Sequence, residues 1–190
     1  MDDTLPPDAS KHWLTRYYLT RGLFSAAWVA AAFTLATGNP VLATVLLIAY
    51  PAWDALANLV DAQRSGGLTR NPSQAFNTWI SVATTFGVAL AIGHSMNLVL
   101  AIFGVWAGLS GLLQLATGVR RRKSVGAQWT MILSGAQSMT ASVFFIMGSL
   151  APAVPNIRVI APYAAFGAFY FLLSALLLAI SSRKTAQQHA

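Results

Sequence analysis

Polar side chains recur at helical spacing inside an otherwise apolar stretch of the chain, residues 41–61. Tyr50, Asp54 and Asn58 are four residues apart, and Asp61 follows three residues later. On a helix all four lie within about 80° of each other, which predicts that the stripe points into a protein interior. A carboxylate as deep as that of Asp54 is costly unless it is paired, hydrated or protonated. Because no Lys or Arg falls in the middle of an apolar stretch, we expect Asp54 to have no basic partner.

Two interpretations of this polar stripe stay open. In the first, Asp54 relays protons or cations, or anchors a small polar ligand, in a cavity between helices. In the second, it is a structural acid that is hydrogen-bonded to a Ser, Thr or Gln of a neighbouring helix. Pro51 lacks an N–H and is expected to kink the helix beside Asp54. A weaker polar stripe of the same phase lies in a later stretch. The candidate intramembrane polar site therefore comprises Tyr50, Asp54, Asn58, Ser110 and Gln114.

The remaining reactive residue types form no recognisable catalytic or metal site. His94 lies in a predicted turn, where its imidazole could sense pH or simply cap a helix end. The three histidines are not spaced as metal ligands, and the chain has no Cys. Gly-rich phosphate loops, a GxSxG elbow and an HExxH helix are absent from the sequence. We therefore expect a non-enzymatic protein without a metal or cofactor.

The elements that hold these residues are predicted to be membrane-spanning helices. Hydrophobic residues make up 56% of the 190 residues and charged residues 9%, far below the roughly 25% that are charged in a soluble domain. Most apolar stretches have about the 20 residues that cross a bilayer. They cover residues 23–38, 41–61, 77–93, 96–119, 128–150 and 159–181. Two links, Gly38–Pro40 and Gly93–Ser95, are so short that each must join antiparallel neighbours. The predicted fold is an all-α membrane protein with six transmembrane helices, paired as three antiparallel hairpins.

Basic residues predict the orientation of these helices. All of the 12 Lys and Arg residues except Arg158 fall on one side of the predicted bilayer. By the positive-inside rule this side is cytoplasmic and holds both termini. The net charge of +7 therefore reflects topology, and we expect the lipid bilayer as a partner and no nucleic acid. Residues 1–20 are assigned to an N-terminal cytoplasmic or interfacial segment, 21–184 to the membrane domain and 185–190 to a C-terminal tail.

An internal repeat underlies the three predicted hairpins. Residues 50–64, 106–120 and 169–183 each begin with an aromatic residue, carry a small residue five positions later and end in Arg. The three repeats cover about 21–64, 77–120 and 128–183. This pattern resembles the HdeD-like family of bacterial integral membrane proteins. The resemblance implies an inner-membrane location and a non-enzymatic role in envelope stress or acid resistance, and it offers no catalytic residues. The alternative function is a small transporter or channel for protons, cations or small solutes that uses Asp54.

Three further patterns predict contacts. Gly104, Gly108 and Gly111 permit a close helix contact, either within the bundle or in a homo-oligomer. Asp61 and Arg64 are one helical turn apart, which favours an ion pair near the membrane interface. The residues expected to contact anionic lipid headgroups are Arg120, Arg121, Arg122 and Lys123.

Overall fold

The structure, a computed structural model, describes residues 7–121 and 129–188, and this part of the chain contains six long helices. They are α1 Pro7–Thr34, α2 Pro40–Arg64, α3 Pro72–Ala91, α4 Met96–Arg121, α5 Trp129–Ser149 and α6 Ala161–Gln188. Short 3-10 helices at Ala36–Gly38 and Ile157–Val159 precede α2 and α6. No strand occurs among the described residues, so the prediction of an all-helical fold is confirmed.

The predicted tight turns lie where the helices end. Asn39 caps α2, because its side chain accepts a hydrogen bond from the Leu42 backbone N–H at 3.0 Å. Pro40 follows in the first turn, where a missing N–H leaves no hydrogen bond unmade. Between α3 and α4, the Ser95 hydroxyl accepts a hydrogen bond from the Asn97 N–H at 3.1 Å. α2 continues as one helix through Pro51.

The bundle has two ends that differ in their residues. We call the end that carries the α1–α2, α3–α4 and α5–α6 links the turn end, and the opposite end the basic end. At the turn end, the Asn97 side chain donates hydrogen bonds to the Ser149 and Ala151 carbonyls at 3.2 and 3.0 Å. The Arg158 guanidinium donates to the Phe33 carbonyl at 3.1 Å. These bonds tie the longest link to neighbouring helices.

The six helices form a ring in chain order. α2 packs against α3, α3 against α4 and α4 against α5, and α6 returns to pack along α1. The α1–α2 and α5–α6 pairs touch less extensively than the α1–α6 and α4–α5 pairs.

Glycines bring α4 and α5 close together. A Cβ added at Gly111 would lie 2.9 Å from the Gly135 carbonyl oxygen, and one at Gly104 would lie 2.8 Å from the Ile146 side chain. Gly108 faces Ser142 in the same way. The predicted small-residue face therefore packs within the chain. Its other predicted use, a contact with a second copy, would need α5 to move away.

Apolar side chains cover the outside of the ring, whereas several polar ones are buried inside it. Leu90 is 74% exposed and Phe144 68%, while Ser81 is fully buried and Asn58 is 8% exposed. Within the described residues, α2, α4, α5 and α6 contain stretches long and apolar enough to cross a membrane. An apolar exterior around a partly polar interior is the arrangement expected of a protein that lipid surrounds.

The first and last helices are longer than the sequence predicted. α1 begins at Pro7, and α6 continues to Gln188. The predicted domain boundaries at residues 20 and 185 therefore fall inside helices. The greater length of α1 has a direct consequence for the site, because it places Arg21 in the middle of a helix.

Candidate functional site

The carboxylate of Asp54 has a basic partner, so the expectation that it would have none was wrong. The Arg21 guanidinium of α1 donates a hydrogen bond to Asp54 Oδ1 and forms an ion pair with it. Both side chains are largely buried, with 13% of Arg21 and 16% of Asp54 exposed. A paired carboxylate can stay charged in surroundings where an isolated one would be too costly.

The other oxygen of this carboxylate extends the pair into a chain of hydrogen bonds across four helices. Asp54 Oδ2 accepts from the Asn58 amide at 2.9 Å and from the Ser81 hydroxyl at 2.8 Å. The Trp106 indole N–H then donates to the Ser81 hydroxyl oxygen at 2.9 Å. We call Arg21, Asp54, Ser81 and Trp106, which lie on α1, α2, α3 and α4, the four-helix chain. Both oxygens of Asp54 thus accept hydrogen bonds from protein groups.

Aromatic side chains hold the guanidinium of Arg21 from two sides. Its Nη1 donates to the Tyr17 hydroxyl at 3.0 Å, and that hydroxyl donates to the Ala57 carbonyl at 3.3 Å. The guanidinium carbon also lies 4.2 Å from the centre of the Phe171 ring of α6, a cation–π contact. Arg21 is thereby fixed by residues of α1, α2 and α6.

A cavity of about 80 Å³ lies beside the four-helix chain, inside the ring. All six helices contribute to its wall. Its polar lining includes Arg21, Ser25, Tyr50, Asp54, Asn58, Asn77, Ser110, Gln114, Ser134, Gln137, Ser138, Tyr163 and Tyr170. A water molecule needs roughly 10–15 Å³, so the cavity can hold several waters or one small polar molecule.

Several residues that line this cavity carry a buried polar atom without a hydrogen-bond partner in the described part of the chain. These atoms are Arg21 Nε, Trp53 Nε1, Asn77 Oδ1 and Ser110 Oγ, from α1, α2, α3 and α4 in turn. Buried polar groups in native proteins are nearly always paired with protein, water or ligand. Water or a polar ligand in the cavity would supply partners for such atoms.

An aromatic layer lies on the turn-end side of this cavity. Trp106 lies at its centre and meets the rings of Tyr50, Phe103 and Tyr163 edge to face, with ring centres 5.9, 5.8 and 6.2 Å apart. Phe145 meets Tyr163 in the same geometry at 5.8 Å. Beyond these rings the interior is filled by aliphatic side chains, among them Leu47, Val88, Val99, Leu100 and Ile160. This packing separates the cavity from the turn end.

Toward the basic end, the interior stays polar. A second cavity of about 190 Å³ adjoins the first, and both are lined by Arg21, Asn77, Gln114 and Phe171. We call these four residues the neck. The second cavity adds Asp61, Ser73 and Gln74, which lie near the ends of α2 and α3. Polar residues thus line the interior from the four-helix chain toward the basic end.

The structure brings together all five residues of the predicted polar site. Tyr50, Asp54, Asn58, Ser110 and Gln114 line the same cavity. Gln114 also accepts a hydrogen bond from Ser134 of α5 at 3.2 Å, which links the second stripe to the next helix.

The other predicted residues lie away from this cavity. His94 is exposed in the α3–α4 turn, where its backbone N–H donates to the Ala91 carbonyl at 2.9 Å. In place of the predicted Asp61–Arg64 ion pair, Asp61 accepts a hydrogen bond from Gln74 at 3.2 Å. The guanidinium of Arg64 lies 4.5 Å from the centre of the Trp13 ring. The side chains expected to contact lipid headgroups, Arg120, Arg121, Arg122 and Lys123, lie outside the described part of the structure.

Comparison with known proteins does not add to this picture. No family model matches the chain, and neither a curated protein nor a solved structure does. Function has to be argued from the geometry of the cavity.

Proposed function

We propose that the protein is a multi-pass membrane protein that binds a small polar solute in its central cavity and carries it across the bilayer. In this proposal all six helices span the bacterial inner membrane as three repeated hairpins, and both termini are cytoplasmic. The excess of Lys and Arg at the basic end supports this orientation. Loosely and closely packed helix pairs alternate around the ring, which supports the repeat. The α1–α2 pair packs more loosely than α1–α6, and α5–α6 more loosely than α4–α5.

The observation that carries the proposal is the group of cavity-lining residues that carry a buried, unpartnered polar atom. A structural polar core should satisfy its own hydrogen bonds, because an unmade bond at a buried group costs about 1–3 kcal/mol. Here Asp54 is satisfied, yet Arg21 Nε, Asn77 Oδ1 and Ser110 Oγ beside it are not. That combination supports a binding site whose ligand completes the network.

Asp54 has a positioning role in this proposal. Its two oxygens accept from Arg21, Asn58 and Ser81, so it fixes the guanidinium and is not itself the solute contact. The transporter function that the sequence predicted as an alternative is therefore kept, with Asp54 as a positioning residue and not as the group that binds the solute. The role in envelope stress or acid resistance, and the relation to the HdeD-like family, stay predictions.

Transport into protein-containing liposomes tests the proposal. Four labelled solutes are used: the uncharged acetamide and glycerol, the cation methylammonium and the anion methanesulfonate. Their uptake is compared with uptake into protein-free liposomes. We expect at least one solute to enter faster with protein. Ser110→Leu should abolish that difference, because the larger side chain fills the cavity while the lost hydroxyl had no protein partner.

Two further variants make this result interpretable. Gly167→Leu fills the cavity from α6, where a Cβ would already lie 3.4 Å from the Tyr50 hydroxyl, and it should also block uptake. Thr140→Leu adds a similar change on the exposed face of α5 and should leave uptake unchanged. If every solute enters at the protein-free rate, or if the cavity-filling variants transport normally, the proposed function is wrong.

A further inference from the structure

The cavity combines a balanced charge with unequal hydrogen-bonding capacity. Arg21 contributes a positive charge and Asp54 a negative one, and the two form an ion pair within the wall. Among the residues that the structure describes, no other Lys, Arg, Asp or Glu lines the cavity. A charged solute would therefore enter without a counter-charge that is still free, and burying an uncompensated charge is costly.

The unpartnered atoms define which groups a solute must present. Arg21 Nε and Trp53 Nε1 can only donate hydrogen bonds, so they require an acceptor oxygen. Asn77 Oδ1 can only accept, so it requires an N–H or O–H donor. The Ser110 hydroxyl can do either. A molecule with a carbonyl oxygen and an N–H group has both complements.

The shape of the site favours a flat molecule of few atoms. Rings of Trp106 and Tyr163 line the cavity together with the polar residues, and aromatic rings pack well against a planar group. A volume of about 80 Å³, room for several water molecules, favours a molecule of few atoms.

From these observations we infer that the site takes a small, uncharged amide, a molecule of the size of acetamide or urea. Its carbonyl oxygen accepts from the unpartnered donors Arg21 Nε and Trp53 Nε1, and its N–H group donates to Asn77 Oδ1. The inference rests on the proposed function, since it names the solute class of the same cavity. The four polar atoms lie on four different helices, so a bound amide links α1, α2, α3 and α4.

Protection of a single thiol tests the inference directly. The chain has no Cys, so Ser110→Cys introduces one reactive group in the cavity, in place of a hydroxyl without a protein partner. The purified variant in detergent is treated with methyl methanethiosulfonate, a small neutral reagent, and the rate of modification is measured by mass spectrometry. Acetamide, methylammonium and methanesulfonate are then added at equal concentrations.

We expect acetamide to slow the modification in proportion to its concentration, and the two ions to leave the rate unchanged. Thr44→Cys, which lines a separate pocket at the turn end, serves as the matched control and should show no protection by any solute. Equal protection at both positions would mean a general effect on the reagent and would overturn the inference.

The outcomes separate the inference from the proposed function. Protection by an ion in place of acetamide, or by no solute at all, overturns the amide inference even where transport is measured. Protection by acetamide without transport of any solute upholds the amide site and overturns the proposal that the protein is a carrier.

Discussion

The two halves of the bundle interior differ although the same six helices build them. Toward the basic end each helix contributes polar groups to the cavity, as α1 does with Arg21 and Ser25. One or two turns further along, the same helix contributes Trp28 and Ala32 to an apolar core. One face of a helix thus borders both the polar cavity and the apolar core, because residues at helical spacing lie on the same face along its whole length. The difference leaves the polar approach to the cavity on the basic-end side in this conformation.

The largest expected effect is the face from which a cysteine in each half can be labelled, because each position should react from one face or not at all. Gln74→Cys lies in the second cavity near the basic end, and Thr44→Cys in the pocket at the turn end. A charged, membrane-impermeant thiosulfonate should modify the first from the face at the basic end and the second from the opposite face, in oriented vesicles. Val88→Cys, in the fully buried apolar half, should react from neither face. Modification of all three from one face would contradict the division.

Loss of the ion pair should cause the largest change in stability. Arg21→Leu leaves the Asp54 carboxylate buried without its counter-charge, which costs about 3–5 kcal/mol. The melting temperature of the purified protein in detergent should fall accordingly. The double variant Arg21→Leu/Asp54→Leu should recover much of the loss, since it removes both charges. A double variant as unstable as the sum of the two single variants would show that the pair is not coupled.

In the apolar half, neighbouring phenylalanines give a matched test of the aromatic layer. Phe145 is 4% exposed and packs on Tyr163, whereas Phe144 is 68% exposed on the outside of α5. Phe145→Ala should lower stability by about 3 kcal/mol through the cavity it leaves, and it should raise non-selective leakage through the layer. Phe144→Ala should change neither quantity. Equal effects of the two variants would mean that the layer does not seal the turn end.

The smallest expected effect concerns the last member of the four-helix chain. Trp106→Phe keeps an aromatic ring in the layer but removes the donor to Ser81, which should cost about 1 kcal/mol. Trp79→Phe, at a position that is 65% exposed, is the control. Thermal melting of both variants measures the difference. If Trp106→Phe melts at the same temperature as the unchanged protein, the indole hydrogen bond adds no stability. The four-helix chain would then end at Ser81.

Much of this architecture could be predicted from the sequence because it depends on local signals. Asn39 and Pro40 mark a helix start through capping chemistry, and the predicted turn lies there. Tyr50, Asp54 and Asn58 share one face through helical spacing, and the structure places all three on the cavity wall. Such features need only the geometry of a single helix.

The partner of Asp54 could not be found by the same means, because it depends on how two helices pack. The positive-inside rule assigned Arg21 to the membrane interface, whereas α1 extends far enough to place it beside Asp54. One local signal did exist. Tyr17, Arg21 and Ser25 have the same spacing as Tyr50, Asp54 and Asn58, so α1 carries a polar stripe that matches the one on α2. Asn77 and Ser81 were missed because hydroxyl and amide groups are common in such helices and gave no contrast.

The ion pair between the first two helices also has a consequence for biosynthesis. An arginine near the middle of a single inserting helix costs about 2.5–3.5 kcal/mol, so α1 gains little by entering the lipid alone. Its counter-charge arrives with Asp54, only 33 residues later, on the helix that follows a tight turn. A chain truncated before α2, or one that lacks Arg21, would therefore hold one of the two charges without its counter-charge.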